Sequence, residues 1–193
     1  MYWWNLSQTL TNPNDPEWDH LAYLTLGENV HPERKTSFLL ARNALWICLK
    51  EAGKNVAIGE LILKDYSGIK GVPEFILSLS HTKSCGAALV APSAEFRSVG
   101  IDVEDSGRVV KKSIIERVGH PEDDRTLRNI ELWSLKEAAF KALMNTGLFP
   151  KPVEFSSLSV VNHTWSHSPS GLSGKWELEH IESFVIARAF LKS

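Results

Sequence analysis

Residues 100–104 read Gly-Ile-Asp-Val-Glu, and this stretch decides the fold of the second half of the chain. Apolar and acidic residues alternate in it. A β-strand here therefore places Ile101 and Val103 on the core face and Asp102 and Glu104 together on the other face. Two carboxylates about 7 Å apart on one strand offer half of a site for a hard divalent ion. A strand end with two solvated acids is the alternative interpretation of the same residues.

Residues 133–142 read Trp-Ser-Leu-Lys-Glu-Ala-Ala-Phe-Lys-Ala and lie in a helical pattern that predicts a helix over residues 121–143. On such a helix Glu137 and Lys141 are about one turn apart and face the same way. An exposed ion pair worth about 0.2–0.5 kcal/mol is the simplest interpretation of that spacing. By itself, the pattern does not separate this interpretation from a functional site.

Outward from these two stretches, the pattern predicts one principal helix and about three strands in each half of the chain. The first-half helix covers residues 33–52 and stops at Gly53. Strands are predicted over residues 56–63, 75–80, 86–91, 98–104, 155–161, 174–180 and 184–190, with a short one at 21–26. We therefore expect an α+β fold of two similar halves, residues 1–98 and 99–193, each a small, mostly antiparallel sheet with its helix.

Composition excludes several classes of protein. The chain has 193 residues, 43% hydrophobic and 23% charged, with a net charge of −2, as in an ordinary globular protein. That charge provides no general basic field, so we expect no nucleic-acid partner. No apolar run approaches the length of a membrane helix, the first residues do not resemble a signal peptide, and Cys48 and Cys85 read as buried thiols. We expect a cytoplasmic protein with no membrane partner.

A third group of residues is suited to binding an anion. The apolar run that starts at Phe75 ends in Ser80-His81, which suits a strand edge offering hydrogen-bond donors. Basic residues that could join them are Arg34, Lys35 and Arg42 on the predicted helix and Lys70 in the loop before Pro73. A structural histidine and a solvated basic helix face are the alternatives.

The order of these features resembles the 4′-phosphopantetheinyl transferases. A basic helix, Ser-x-Ser-His, Gly-Ile-Asp-Val-Glu and Trp-Ser-x-Lys-Glu-Ala-x-x-Lys-Ala follow one another over about residues 33–148. The resemblance is to the longer, monomeric type that modifies peptide-synthetase, siderophore and acyl carrier proteins. It implies a pseudo-twofold relation between the two halves. It also implies Mg²⁺-dependent transfer of the phosphopantetheine arm of coenzyme A to a serine of an apo acyl or peptidyl carrier protein, with release of adenosine 3′,5′-bisphosphate.

The resemblance also implies residue roles. Asp102, Glu104 and Glu137 would hold Mg²⁺, Glu137 would act as the base for the carrier serine, and Lys141 would stabilise the phosphate in transfer. Residues 99–193 would thus form the metal-binding and catalytic side, and residues 1–98 the side that binds the 3′-phosphate of coenzyme A. The contacts to that phosphate would come from Ser80 and His81, joined by Arg34, Lys35, Arg42 and Lys70.

Two alternative functions use the same residues. A Mg²⁺-dependent phosphohydrolase would direct the carboxylates at water and would release free phosphopantetheine. A coenzyme A or carrier-protein binding protein without transferase activity would need the binding residues but not the catalytic set. The presence of Asp102, Glu104, Glu137 and Lys141 together favours the transferase.

Overall fold

A computed structural model describes residues 1–64, 68–69, 71–149 and 152–193 of the chain. Lys70 lies outside these described residues. They form two compact units, Met1–Ala94 and Glu95–Ser193, each of which contains helices and antiparallel strands. The predicted α+β class is therefore confirmed. The predicted boundary between residues 98 and 99 falls inside the first strand of the second unit.

The first unit is a three-stranded antiparallel sheet covered by a long helix. Its elements are β1 (Trp3–Ser7), α1 (Pro16–Leu26), α2 (Pro32–Glu51), β2 (Leu63–Lys64), β3 (Gly68–Ile69), β4 (Phe75–His81) and β5 (Gly86–Pro92). The sheet order is β1-β5-β4, and β2 and β3 form a separate pair. Helix α2 and strands β4 and β5 agree with the predictions, and Gly53 follows the helix with a φ of 77°.

Two strand predictions in the first unit are wrong. Residues 21–26 belong to helix α1, because Asp15 accepts a hydrogen bond from the Glu17 amide and Pro16 begins the first turn. Trp18 and Leu21 then bury a helical face instead of a strand face. Residues 56–63 contain a 3₁₀ turn at Ile58–Glu60 and only the start of β2.

Helix α2 lies close against strand β5. A Cβ on Gly86 would fall within 2.5 Å of the Leu40 carbonyl oxygen and nearer still to the Ala41 amide nitrogen, so only glycine fits there. Leu45, Cys48 and other apolar residues of α2 are fully buried against the sheet. Gly86 pairs with His81 of β4, so this contact holds α2 close to the strand end that carries a predicted anion-binding residue.

The second unit is a five-stranded antiparallel sheet covered on one face by a helix. Its elements are β6 (Phe96–Asp105), α3 (Lys112–Val118), α4 (Asn129–Met144), β7 (Leu158–Val161), β8 (Thr164–His167), β9 (Leu172–Ile181) and β10 (Phe184–Lys192). The sheet order is β6-β10-β9-β8-β7. Among the α-helices of the described residues, none is long and apolar enough to cross a membrane.

The second unit corrects three predictions. Helix α4 begins at Asn129 and not at residue 121, because residues 119–128 form turns in which Asp123 accepts hydrogen bonds from the His120 and Val160 amides. Helix α3 and strand β8 were not predicted. Residues 155–157 form a 3₁₀ turn, so the predicted strand begins only at Leu158.

Lys136 anchors α4 from its buried side. Its side chain is fully buried, and its Nζ lies 2.8 Å from Asp123 Oδ2 and donates to the Leu158 carbonyl oxygen of β7. Burial lowers the pKa of Lys136, and the Asp123 carboxylate opposes that shift. Because an unpaired buried charge is costly, this pair fixes the rotation of α4 about its axis.

Candidate active site

The two stretches that decide the fold meet along the line where α4 crosses β6. A Cβ on Gly100 would lie 2.7 Å from the Ala142 amide nitrogen and closer still to the Ala138 carbonyl oxygen. Gly100 therefore lets the helix backbone rest directly on the strand, and Ala138 and Ala142 provide the small side chains needed at that approach. The glycine of one motif and the alanines of the other are parts of one contact.

Two hydrogen bonds join the acidic strand to the start of the helical motif. Ser134 Oγ donates to Asp102 Oδ2 at 3.0 Å, and Trp133 Nε1 donates to Glu104 Oε1 at 3.0 Å. Asp102 and Glu104 are only 5% and 8% exposed, so the interpretation of two solvated acids is wrong. Both carboxylates face α4 because that helix covers their side of the strand.

Lys141 reaches across to the strand from the next turn of α4. Its Nζ donates to Asp102 Oδ1 at 2.8 Å and to the Ile101 carbonyl oxygen at 2.9 Å. Asp102 thus accepts from Ser134 through one oxygen and from Lys141 through the other. The lysine is only one-quarter exposed and lies beside the acidic cluster of Asp102, Glu104 and Glu137. This position excludes the interpretation of Glu137 and Lys141 as an ion pair on a solvated helix face.

Arg108 approaches the other strand carboxylate from the turn that follows β6. Its guanidinium donates to Glu104 Oε1, and its Cζ lies 5.7 Å from the centre of the Trp133 ring. Its side chain is about half exposed, whereas that of Glu104 is 11% exposed. Glu104 Oε1 therefore accepts from both the indole of Trp133 and the guanidinium of Arg108.

Glu137 completes the cluster from α4. Burial raises the pKa of its carboxyl group, and the negative charges of Asp102 and Glu104 raise it further, while Lys141 and Arg108 oppose the shift. Glu137 therefore lies within electrostatic reach of both strand carboxylates. A carboxylate with a raised pKa is a better proton acceptor at neutral pH than an ordinary surface glutamate.

The carboxylates suit an open magnesium site better than a closed cage. Within the described residues, no three histidine, cysteine or acidic side chains converge closely enough to enclose a metal ion. Mg²⁺ in phosphate chemistry usually takes one or two carboxylates and completes its shell with water and phosphate oxygens. Asp102, Glu104 and Glu137 offer hard oxygens that already repel one another, so their chemistry fits such an ion.

The first unit contains a surface cavity where α2 begins. It has a volume of about 430 Å³ and is lined by His31, Glu33, Arg34, Ser37, His81, Thr82 and Lys83. Helix α2 is 20 residues long, and the positive end of its dipole favours a negative charge there, while Pro32 has no amide hydrogen and the Glu33 amide donates to His31 Nδ1. The structure thus brings together two of the predicted anion-binding residues, Arg34 and His81.

The other predicted residues of this group point elsewhere. Lys35 Nζ pairs with Asp19 Oδ1 of α1 at 2.9 Å. Arg42 is 8% exposed, donates through Nε to the Leu61 carbonyl oxygen and lies over the Phe38 ring. Ser80 is buried next to His81 on β4 but is not among the described residues that line the cavity.

Sequence reasoning missed several residues that touch these sites. In the acidic cluster they are Trp133, Ser134 and Arg108, and at the cavity they are His31 and Lys83. Trp133 and Ser134 could have been found from the sequence, because both are hydrogen-bond donors in the second motif and the first motif offers two carboxylate acceptors. Nothing local marks Arg108, because its role depends on a turn that folds back on the strand.

A comparison with known families finds a similarity in the second unit. Residues 98–189 match the sequence model of the 4′-phosphopantetheinyl transferase superfamily. No curated protein matches the chain. The matched region contains both motifs and most of the second unit, and it makes up slightly less than half of the chain. The match does not extend to the cavity of the first unit.

Proposed function

We propose that this protein transfers the 4′-phosphopantetheine arm of coenzyme A to a serine of an apo acyl or peptidyl carrier protein, acting as a monomer of the longer type. The observation that carries the proposal is the junction of β6 and α4. There, Lys141 donates to Asp102, and Glu137 lies within electrostatic reach of Asp102 and Glu104, on elements that are in close contact at Gly100. That set combines hard oxygen ligands, a proton acceptor and a cation, as phosphoryl transfer requires.

The proposed reaction forms one bond and breaks one bond at a single phosphorus. The serine oxygen attacks the phosphorus that carries the pantetheine arm, and the bond from that phosphorus to the bridging pyrophosphate oxygen breaks. The bridging oxygen leaves with the electron pair as part of adenosine 3′,5′-bisphosphate. The serine proton passes to Glu137, directly or through a water molecule. Burial and the neighbouring carboxylates raise the pKa of Glu137, which makes it a stronger proton acceptor than an ordinary surface glutamate.

Asp102 and Glu104 are the residues that would hold Mg²⁺, with Glu137 as a third donor. A bound Mg²⁺ ion supplies neutralisation of the charge on the pyrophosphate oxygens. The hydrogen bonds from Ser134 and Trp133 orient the two strand carboxylates, so that each keeps a fixed direction toward the site. Mutual repulsion among the three acids favours the binding of a cation between them.

Lys141 is positioned to hold negative charge that develops on the transferring phosphate. Its ammonium group stays at the cluster because Asp102 and the Ile101 carbonyl oxygen hold it there. A cation that is fixed before the reaction costs no reorganisation during it. For the same reason, neutral substitutions at Lys141 are expected to reduce the rate more than the affinity.

We assign the 3′-phosphate of coenzyme A to the cavity of the first unit. Arg34 and His81 line that cavity, Ser80 precedes His81 on β4, and the positive end of the α2 dipole lies there. A small polyanion suits this local cluster in a chain of slightly negative net charge. We give Lys35 and Arg42 a supporting role, because they pair with Asp19 and with the Leu61 carbonyl oxygen.

One experiment separates this proposal from its two alternatives. The protein is mixed with coenzyme A and Mg²⁺, with and without an apo carrier protein, and the small-molecule products are separated by chromatography. The transferase releases adenosine 3′,5′-bisphosphate only when the carrier is present. Free phosphopantetheine in the absence of carrier would establish a phosphohydrolase. Intact coenzyme A in both mixtures, with coenzyme A retained by the protein in a parallel binding measurement, would favour a binding protein.

A further inference from the structure

Arg108 is held beside the acidic cluster by the turn that ends β6. Its amide donates to the Asp105 carbonyl oxygen at 2.9 Å, and the Gly107 amide donates to Asp105 Oδ1 at 2.9 Å. The Ser106 amide donates to the Ser183 carbonyl oxygen at 2.7 Å. The backbone at Arg108 is therefore fixed, while its side chain remains about half exposed.

The guanidinium of Arg108 lies between two groups of different chemistry. On one side it donates to Glu104 Oε1, and on the other it lies over the face of the Trp133 ring. Glu104 Oε2 has no hydrogen-bond donor among the described residues. An aromatic face attracts a guanidinium group in many positions, so Trp133 leaves Arg108 free to move without leaving the site.

Two cations cannot neutralise the same carboxylate independently. A divalent ion that coordinates Glu104 takes over the charge that now attracts Arg108, and the two positive charges repel each other. The displaced guanidinium stays in contact with the Trp133 ring, and the N–H group that had donated to Glu104 then needs another acceptor. A planar fork of donors matches phosphate oxygens closely.

We propose that Arg108 and a divalent ion compete for Glu104, and that the released guanidinium binds a pyrophosphate oxygen of coenzyme A. This inference rests on the proposed function, because it uses the same carboxylate as the metal ligand. Arg108 then belongs to the substrate-binding residues and not only to the packing of the turn. It makes phosphate binding depend on prior or simultaneous binding of the metal ion.

The two parts of the proposal predict opposite effects of one substitution. Removing the guanidinium removes a competitor for Glu104, so a divalent ion binds more tightly. It also removes a donor to phosphate, so coenzyme A binds more weakly. A purely structural role for Arg108 would instead weaken both interactions, because a loosened Glu104 holds the metal ion less well.

The test compares Arg108→Gln with Arg128→Gln in the full-length protein. Arg128 is a matched control because it also pairs with a largely buried glutamate, Glu131. The side chains of Arg128 and Glu131 are 57% and 13% exposed, and those of Arg108 and Glu104 are 49% and 11% exposed. Binding of Mn²⁺ without coenzyme A is measured by electron paramagnetic resonance of the free ion. Binding of coenzyme A at saturating Mn²⁺, without carrier protein, is measured by calorimetry.

The expected result is a split between the two ligands. Arg108→Gln tightens Mn²⁺ binding about two- to fivefold, in line with a half-exposed ion pair, and weakens coenzyme A binding about tenfold or more. Arg108→Lys keeps the Mn²⁺ affinity of the natural protein but still weakens coenzyme A binding, because an ammonium group lacks the fork. Arg128→Gln changes neither affinity.

Dephospho-coenzyme A locates the contact. It retains the pyrophosphate and lacks the 3′-phosphate, so Arg108→Gln should weaken its binding by the same factor. A loss confined to coenzyme A itself would overturn the assignment to pyrophosphate. Weaker Mn²⁺ binding, or unchanged coenzyme A binding, in Arg108→Gln would overturn the proposal that Arg108 leaves Glu104 to the metal ion and binds phosphate. Either result would leave the transferase proposal intact. A natural protein that binds neither Mn²⁺ nor coenzyme A would overturn both.

Discussion

Replacing Gly100 by alanine tests the contact that joins β6 to α4. The added Cβ would lie 2.7 Å from the Ala142 amide nitrogen, with the Ala138 carbonyl oxygen nearer still. Ordinary contact between such atoms begins at about 3.4 Å, so relieving the Ala142 contact alone moves the helix backbone by about 0.7 Å, and relieving the Ala138 contact moves it further. Both obstructing atoms belong to the backbone, and no side-chain rotation relieves them.

The withdrawal also breaks the hydrogen bonds that orient the carboxylates. The bonds from Ser134 to Asp102 and from Trp133 to Glu104 are 3.0 Å long and would stretch beyond about 3.5 Å, where little of their energy remains. Overpacking costs about 1–3 kcal/mol, and hydrogen bonds to charged groups contribute about 1.5–3 kcal/mol each. We therefore expect Gly100→Ala to lose about 3 kcal/mol or more of unfolding free energy.

Urea and thermal unfolding measure this loss, and Mn²⁺ binding measures its effect on the site. In a chain of this size, 3 kcal/mol corresponds to a fall in Tm of about 6–12 °C. Gly59→Ala is the control, because its added Cβ would have only Glu17 Oε2 at 4.0 Å, and we expect a change within about 0.5 kcal/mol. If Gly100→Ala were as stable as the natural protein and bound Mn²⁺ normally, α4 would not rest on Gly100 and this reasoning would fail.

Three further substitutions test separate parts of the account. Glu137→Gln should abolish transfer. It should also raise Tm by about 1–3 °C, because burial and the neighbouring carboxylates raise the pKa of Glu137 and so make its negative charge unfavourable in the folded protein; a lower Tm would contradict this. His81→Ala should raise KM for coenzyme A more than it lowers kcat, and an equal loss with dephospho-coenzyme A would exclude the 3′-phosphate contact. Burial raises the pKa of Glu131, but hydrogen bonds from Arg128 outweigh burial, and the net effect lowers the pKa below its ordinary value of 4.5. The ionised Glu131 therefore stabilises the fold above pH 4.5, and this stabilisation is lost as the pH falls through the lower pKa of the folded state. The stability gap between the natural protein and Glu131→Gln should therefore narrow in urea titrations from pH 5 to pH 3, and a constant gap would refute the linkage.

Local pattern predicted the elements that build the acidic cluster. Alternation in residues 100–104 and helical spacing in residues 133–142 are signals carried by neighbouring residues, and both elements formed as expected. The apolar run at residues 21–26 led to a wrong strand prediction, because a helix start signal lies before it in the sequence. Asp15 and Pro16 begin a helix there, and a helix start outweighs a short apolar run that fits either element.

The directions of charged side chains were beyond the reach of local pattern. Lys141 bonds to Asp102, which lies 39 residues earlier, and not along its own helix face. Lys35 and Arg42 turn toward Asp19 and the Leu61 carbonyl oxygen, which lie on α1 and in an irregular segment. A basic helix face therefore indicates available charge, whereas the partners of that charge depend on how the segments pack together.

The central claim is tested most directly by the mass of a carrier protein. Apo acyl carrier protein and apo peptidyl carrier protein are each incubated with this protein, coenzyme A and Mg²⁺, and their intact masses are measured. Parallel incubations contain EDTA or the Glu137→Gln variant. We expect the gain of one phosphopantetheine group with the natural protein and Mg²⁺, and no gain in either parallel incubation. An equal gain with EDTA or with Glu137→Gln, or no gain under any condition while coenzyme A remains bound, would contradict it.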